Sequence, residues 1–328
     1  LFAIWHAGYC AVPTNARLHG RELAFMLENC GAKYCFVSAD IAEGLAAHCA
    51  SVPELEQLIV TGEKDYDRLV QAALSQMGEQ IEGQDPTQPE VVWQRLVGGG
   101  GDVFSGKSGR VGATAVSAID QALWDIAGKA LDVPVWRLLG GRRRQRIRCY
   151  ANLNRGTKDR SPEGFARQAV AAVAAGFRAV KCTPFDEVRG GLADRDGVEA
   201  GLDQGVARLR AAREAIGGDI ELLVDVHGTR DASEAIALGR GLEELGVRWL
   251  EAPTLAEDIR GHATVAAALD LQIATGEWLR TAWEWRWWIE AGAFDVAMPD
   301  IARTGLTEGK RIAGLCDIHN LPIAPHVG

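Results

Sequence analysis

Five short apolar runs between residues 221 and 326 each close on a chargeable side chain, and they do so at nearly constant intervals. The runs are "ELLVDVH", "RWLEAP", "QIATGE", "FDVAMPD" and "LPIAPH", ending on or near Asp225, Glu251, Glu277, Asp300 and His326, which lie 26, 26, 23 and 26 positions apart. Such an interval holds one strand, one helix and two turns. Parallel strands are buried on both faces and so read as continuous apolar runs, and the C-terminal ends of such strands in a βα barrel open onto one mouth. The cadence therefore predicts an α/β chain with a barrel in which five chargeable groups converge.

Composition agrees with a large buried core, since 47% of the 328 residues are apolar. A net charge of −9 and a pI near 5.4 argue against nucleic acid or an anionic membrane as partner. Seven cysteines, odd in number and without a CxxC pair, fit reduced thiols in a cytoplasmic protein. No apolar run reaches the roughly 18 residues that span a bilayer, and "LFAIWHAGYCAV" is broken by His6. A small-molecule partner is expected, and a homo-oligomer is compatible with this surface chemistry.

Residues 1–73 do not share the later cadence. They predict a helix ending near Gly31, a strand over Tyr34 to Ser38, a second helix, and a strand beginning at Leu58 to Val60, as in a doubly wound α/β fragment. The phrase "FAIWHAGYCAVPTNARLHGRELAFMLENCGAKYCFVS" resembles adenylate-forming acyl-CoA synthetases over about 70 residues, without that family's phosphate-binding loop. Residues 74–145 read as helical. The phrase "AVSAIDQALWDIAGKALDVPVWRLLGG" places Ala118, Ala122, Leu123, Ile126 and Leu131 on one apolar stripe with Asp120 and Asp125 off it, and Pro134 closes the helix. Just before it, Gly101 to Ser108 spells GxxxxGK[ST], the pattern of a phosphate-cradling loop. The preceding "PEVVWQRLVGGG" is helix-like rather than a buried strand, which favours a plain Gly-rich loop; a nucleotide-binding protein is the alternative.

The barrel region, 146–328, opens with "IRCYANL" and a helix capped by Ser161, with Pro162 in its first turn and Gly176 as its stop. Its second strand, "RAVKCTPF", carries Lys181. In "VDVHG", Asp225 and His227 are two apart, so strand alternation predicts that they point the same way. Asp225, Glu251 and Glu277 together would drive up each other's pKa in a low-dielectric pocket unless a cation intervened. A hard divalent ion such as Mg²⁺ takes oxygen ligands and leaves positions open for a substrate. On neighbouring strands Asp300 can orient His326 and raise its basicity.

These phrases resemble the mandelate racemase and muconate-lactonizing group of the enolase superfamily from about residue 74 onward, and "DVHG" resembles the D-galactonate dehydratase-like acid-sugar dehydratases. The resemblance implies a capping domain ahead of a (β/α)7β barrel, incomplete here because the chain stops at Gly328 after the seventh barrel strand. It implies a carbon–oxygen lyase that dehydrates an aldonate or aldarate to a 2-keto-3-deoxy acid. The roles it implies are a metal site at Asp225, Glu251 and Glu277, a base at His326 with Asp300, an acid at His227, and Lys181 as a cation beside the substrate carboxylate. Where that group has a KxK pair, Thr183 replaces the second lysine, and one base with one acid suits elimination better than racemisation. An inactive chimeric fragment is the third reading.

Overall fold

The structure is a computed structural model that describes residues 34–38, 52, 57–61, 64–98, 109–153, 157–186, 195–228 and 230–326. The loop Gly101 to Ser108 and the two helices expected within 1–56 lie outside the described residues. The chain divides into two compact units. One draws on residues up to Gly141 together with Ile301–Lys310, the other on Arg142–Asp300 and Arg311–Val327.

In the first unit β1 (Tyr34–Ser38) pairs in parallel with β2 (Gln57–Thr61), as the sequence predicts for both runs. Helices α1 (Lys64–Ile81), α2 (Pro89–Val97), α3 (Gly109–Ala130) and α4 (Val135–Leu138) follow. Met77, Val92, Trp93, Leu96, Ala115, Val116 and Leu123 form their shared apolar core. The stripe expected on α3 is corrected here: Ile126 and Leu131 are exposed, whereas Ser117, Asp120 and Gln121 are buried. The reason is a helix end. The kinked helix α10 (Ile301–Ile318) turns at Gly305, whose φ of 69° is left-handed, and the Asp120 carboxylate accepts the backbone N–H of Leu306 at 2.6 Å and of Thr307 at 2.9 Å. A carboxylate is well placed against such first-turn amides, and it outweighs apolar patterning at that position. A Cβ at residue 305 would stand 2.6 Å from Asp120 Oδ2, so only glycine fits.

The second unit is a six-stranded parallel sheet in the order β3 (Ala151–Asn152), β4 (Ala179–Cys182), β5 (Glu221–Asp225), β6 (Val247–Glu251), β7 (Gln272–Thr275) and β8 (Val296–Ala297). The helices between them are α5 (Pro162–Ala174), α6 (Arg195–Ile216), α7 (Ala232–Glu244), α8 (Ile259–Ala268) and α9 (Ala282–Glu290). Ser161 caps α5 by accepting the Gly164 N–H at 3.1 Å, Pro162 opens it, and Gly176 follows its end with φ 97°. The segment before His326 runs parallel to β8 through bridges Ala297 to Ile323 and Asp300 to His326, so the predicted seventh strand is present as a short pairing.

Alternation sorts the side chains of this sheet. Val180, Cys182, Leu222, Val224, Leu250 and Ile273 join the helix-facing core with Phe165, Leu209, Leu242 and Trp285. Ala179, Leu223, Trp249, Ala274, Val296 and Met298 form a separate apolar layer on the opposite face. Lys181, Asp225 and Glu251 stand two positions on from Ala179, Leu223 and Trp249, so the same period carries them above that inner layer. Among the described residues no helix is long and apolar enough to cross a membrane.

Two measurements test these packing assignments. Asp120→Ala, by orphaning two backbone amides, should lower stability by about 1–3 kcal/mol in urea unfolding. His262 is fully buried, with Nδ1 2.6 Å from Thr254 Oγ1 and its ring edge-on to Trp288, and burial holds its pKa below the ordinary 6.5. The unfolded chain therefore takes up that proton first, so the stabilisation is intact above about pH 6.5 and lost as pH falls below it. The His262→Gln variant should be less stable at pH 7.5 and show a shallower fall in Tm between pH 7 and 5 than the parent.

Candidate active site

Register aligns the acids. Asp225 and Glu251 are direct partners across β5 and β6, and Glu251 faces Ala274 on β7, three residues before Glu277. All three carboxylates are buried, at 4%, 1% and 7% exposure. Lys181, 2% exposed, reaches into them from β4: its Nζ donates to Glu251 Oε1 at 2.7 Å and Oε2 at 2.8 Å and stands 3.6 Å from Asp225 Oδ2. Burial alone would lower the Lys181 pKa, but Glu251 and Asp225 reverse this and hold it above its ordinary value, so the ammonium stays charged. Burial, reinforced by Asp225, pushes the Glu251 carboxyl up despite Lys181. The sequence expectation of a lysine beside a substrate carboxylate thus meets a lysine already engaged by protein carboxylates.

Two imidazoles flank this cluster in matching fashion. His326 presents Nε2 to Glu277 Oε2 at 2.9 Å and Nδ1 to Asp300 Oδ2 at 3.1 Å. His227 presents Nε2 to Asp225 Oδ2 at 3.3 Å and Nδ1 to Asp186 Oδ1 at 3.1 Å. Burial would lower the pKa of His326, but hydrogen bonds to Asp300 and Glu277 carry it up to about 9. The Asp186 hydrogen bond raises that of His227 to about 9 against a smaller loss from burial.

The sequence reasoning for His227 needs correcting even though its neighbour is right. His227 lies two residues past the end of β5 with φ 52°, so strand alternation does not aim it. A left-handed turn does, held by Asp225 Oδ1 accepting the His227 backbone N–H at 2.9 Å. Asp186 was not singled out from the sequence; nothing in "TPFDEV" marks it, because its partner is 41 residues away in another loop. Arg230 was also missed. It is 4% exposed, and its Nε and Nη2 are buried without a hydrogen-bond partner, a costly state for a guanidinium that an acceptor oxygen would relieve.

For a metal, the donor chemistry fits a hard cation: three buried carboxylates at or just past the ends of successive strands, two of them, Asp225 and Glu251, already against an ammonium group. Among the described residues, however, no three acidic, imidazole or thiol groups are close enough together to hold one ion. Glu251 and Asp225 lean instead on Lys181, Asp225 also on His227, and Glu277 on His326.

Comparison with known proteins bears on what this geometry belongs to. Residues 164–328 match the enolase C-terminal domain-like family, and residues 30–140 match the mandelate racemase / muconate lactonizing enzyme N-terminal domain. The chain belongs to the mandelate racemase / muconate lactonizing enzyme group of the enolase superfamily. It is 35% identical over 263 residues to the D-galactonate dehydratase of Ralstonia nicotianae, covering 79% of this chain and 65% of that protein. It is 34% identical over 275 residues to the D-galactonate dehydratase of Verminephrobacter eiseniae, covering 83% and 69%. A mandelate racemase/muconate lactonizing enzyme-like protein from Rubrobacter xylanophilus superposes with a TM-score of 0.73 at 35% identity, over 79% of this chain and 70% of that one. The N-terminal match begins at residue 30, inside the stretch that resembles acyl-CoA synthetases, and these comparisons lend that resemblance no support.

The Lys181–Glu251 pair gives a direct test. In metal-free buffer Lys181→Met should cost about 3–5 kcal/mol, because it leaves Glu251 buried and unpaired, while Lys181→Met with Glu251→Leu should cost clearly less. Urea unfolding of the two single variants and the double variant measures the coupling.

Proposed function

We propose that this chain carries the active site of a Mg²⁺-dependent sugar-acid dehydratase, removing water from an aldonate or aldarate to give a 2-keto-3-deoxy acid. The observation that carries the reading is the pair of imidazoles, each with Nδ1 on a carboxylate and Nε2 against opposite ends of one acidic cluster. Elimination of water needs one group to take a proton and another to give one, and this arrangement offers both. Similarity to two D-galactonate dehydratases supports the reaction class, although the chain spans only 65% of the length of the first.

Asp225, Glu251 and Glu277 would hold the cation, which when bound supplies positive charge to the substrate carboxylate as negative charge grows there. His326, oriented by Asp300, takes the proton from the carbon next to that carboxylate. The electron pair of the C–H bond forms the carbon–carbon double bond, and the neighbouring C–O bond breaks with its pair going to oxygen. His227 gives its Nε2 proton to the departing hydroxyl, which leaves as water, and the enol becomes the keto acid. Lys181 balances the acidic cluster, and the Nε and Nη2 of Arg230, which lack hydrogen-bond partners, would suit an acidic or hydroxylated ligand. On this reading 146–328 is the catalytic barrel, 74–145 the helical part of a capping domain, and 1–73 a separate α/β fragment.

The test is a panel of aldonic and aldaric acids assayed for keto-acid formation. At least one should react with Mg²⁺ and none without it, and His326→Ala should slow the reaction about 10²- to 10⁴-fold. Mg²⁺ at about 100 times its Kd should add about 2.7 kcal/mol of stability to the parent and none to Glu251→Gln. Turnover that is indifferent to Mg²⁺ would exclude the reading.

A further inference from the structure

We infer that Asp186, locked in place by Thr183, is the positioning residue that aims His227 at the leaving hydroxyl. The inference rests on the proposed dehydratase reading for its kinetic consequence, while its geometry is that of the Asp186–His227 contact itself. His227 is 45% exposed and occupies a left-handed turn. Its backbone N–H is held by Asp225 Oδ1, and Asp225 Oδ2 stands 3.3 Å from Nε2, but that contact fixes one edge of the imidazole and leaves the Nδ1 edge to turn about the side chain's own bonds. A half-exposed ring on a strained turn needs a second anchor to keep Nε2 inward. Asp186 Oδ1 supplies it, 3.1 Å from Nδ1.

The anchor is itself held. Thr183, fully buried one residue past the end of β4, donates its hydroxyl to Asp186 Oδ2 at 2.8 Å. Arg160 donates to the Thr183 carbonyl at 2.8 Å and stands 3.8 Å from the same Asp186 oxygen, its guanidinium stacked 4.8 Å over the Phe165 ring. One carboxylate oxygen of Asp186 is thus committed to β4 and the other to His227, so the loop position of Asp186 is transmitted to the ring. Chemically, an acceptor at Nδ1 keeps that nitrogen protonated, so the proton that leaves is the one on Nε2. After transfer the ring is neutral with its lone pair on Nε2, ready to be reprotonated from solvent. The arrangement repeats what Asp300 does for His326 on the opposite side of the cluster.

Removing the anchor should harm elimination and spare proton abstraction, because His326 and its partner Asp300 do not touch Asp186. In Asp186→Ala, kcat for keto-acid formation should fall about 10²-fold or more with KM within about threefold. In D₂O the recovered substrate should still acquire deuterium at the carbon next to the carboxylate, faster than it is dehydrated. Asp186→Glu should recover part of the loss, and Thr183→Val should show a smaller loss of the same kind. An Asp186→Ala enzyme that dehydrates at the parental rate overturns the inference, as does one in which exchange and dehydration fall together, the mark of a merely structural role. A second readout does not need turnover: the hydrogen-bonded Nδ1–H proton of His227, assigned by its loss in His227→Gln, should appear in the parent's ¹⁵N-edited NMR spectrum and vanish in Asp186→Ala. If that signal is unchanged in the variant, Asp186 does not hold the ring. If no acid is turned over by the parent, the dehydratase reading fails and the NMR result alone decides the role of Asp186.

Discussion

Crowding of like charge is the constraint on which the active end of this sheet depends. Asp225, Glu251 and Glu277 are almost completely buried, and a carboxylate out of water either finds a cation or gives up its charge. Lys181 meets the need at the centre, His227 and His326 at the two edges. The apolar layer of Leu223, Trp249, Ala274 and Met298 beneath them keeps water out from below. This is why the cluster is held together by partners rather than by solvent.

The same crowding ties the proposed base to the proposed cation. Glu277 faces Nε2 of His326 and, with Asp300, raises the ring to a pKa of about 9 against the effect of burial. On the proposed reading Glu277 would be one of the residues that hold the cation, whose positive charge would offset the pull of Glu277 on that nitrogen. His227 is placed in the same way, with Nε2 3.3 Å from Asp225 of the cluster. The difference lies at Nδ1, where Asp186, outside the acid cluster, gives the largest upward pull on its pKa. On the proposed reading two rings of identical chemistry take opposite tasks, His326 as base and His227 as acid.

How much of this was legible beforehand follows from what period and spacing encode. The strand-end acids at intervals of 26, 26 and 23 were readable because a repeated strand–helix unit fixes them by length alone. His326 beside Asp300 was readable for the same reason. The aim of His227 was predicted from strand alternation, although a left-handed turn beyond the strand is what produces it. Asp120 shows the opposite failure: a polar residue placed off the apolar stripe of α3 is buried because it caps amides 186 and 187 positions later. Asp186 and Arg230 could not be found from spacing, since each owes its meaning to a partner, or to the lack of one, that only the folded chain reveals.

The strain at the mouth indicates how firmly the site is set. His227 and Ala252 both have left-handed φ, 52° and 45°, and both come just after an acid of the cluster. Such conformations cost on the order of 1–3 kcal/mol each and persist only where neighbours over-determine them. Here the neighbours are backbone groups: Val226 N–H donates to Glu251 O at 3.2 Å, Gly228 N–H to Ala252 O at 2.7 Å, and Ala252 N–H to Ala274 O at 2.9 Å. The turns that carry the acids are therefore extensions of the sheet rather than independent loops, and each turn leans on the next strand over. A side chain aimed by such a lattice is displaced only if the strands beneath it shift. The direction of Asp225 and Glu251 is accordingly a property of the whole parallel sheet, whereas the direction of His227, past the last paired residue of its strand, has to be secured locally.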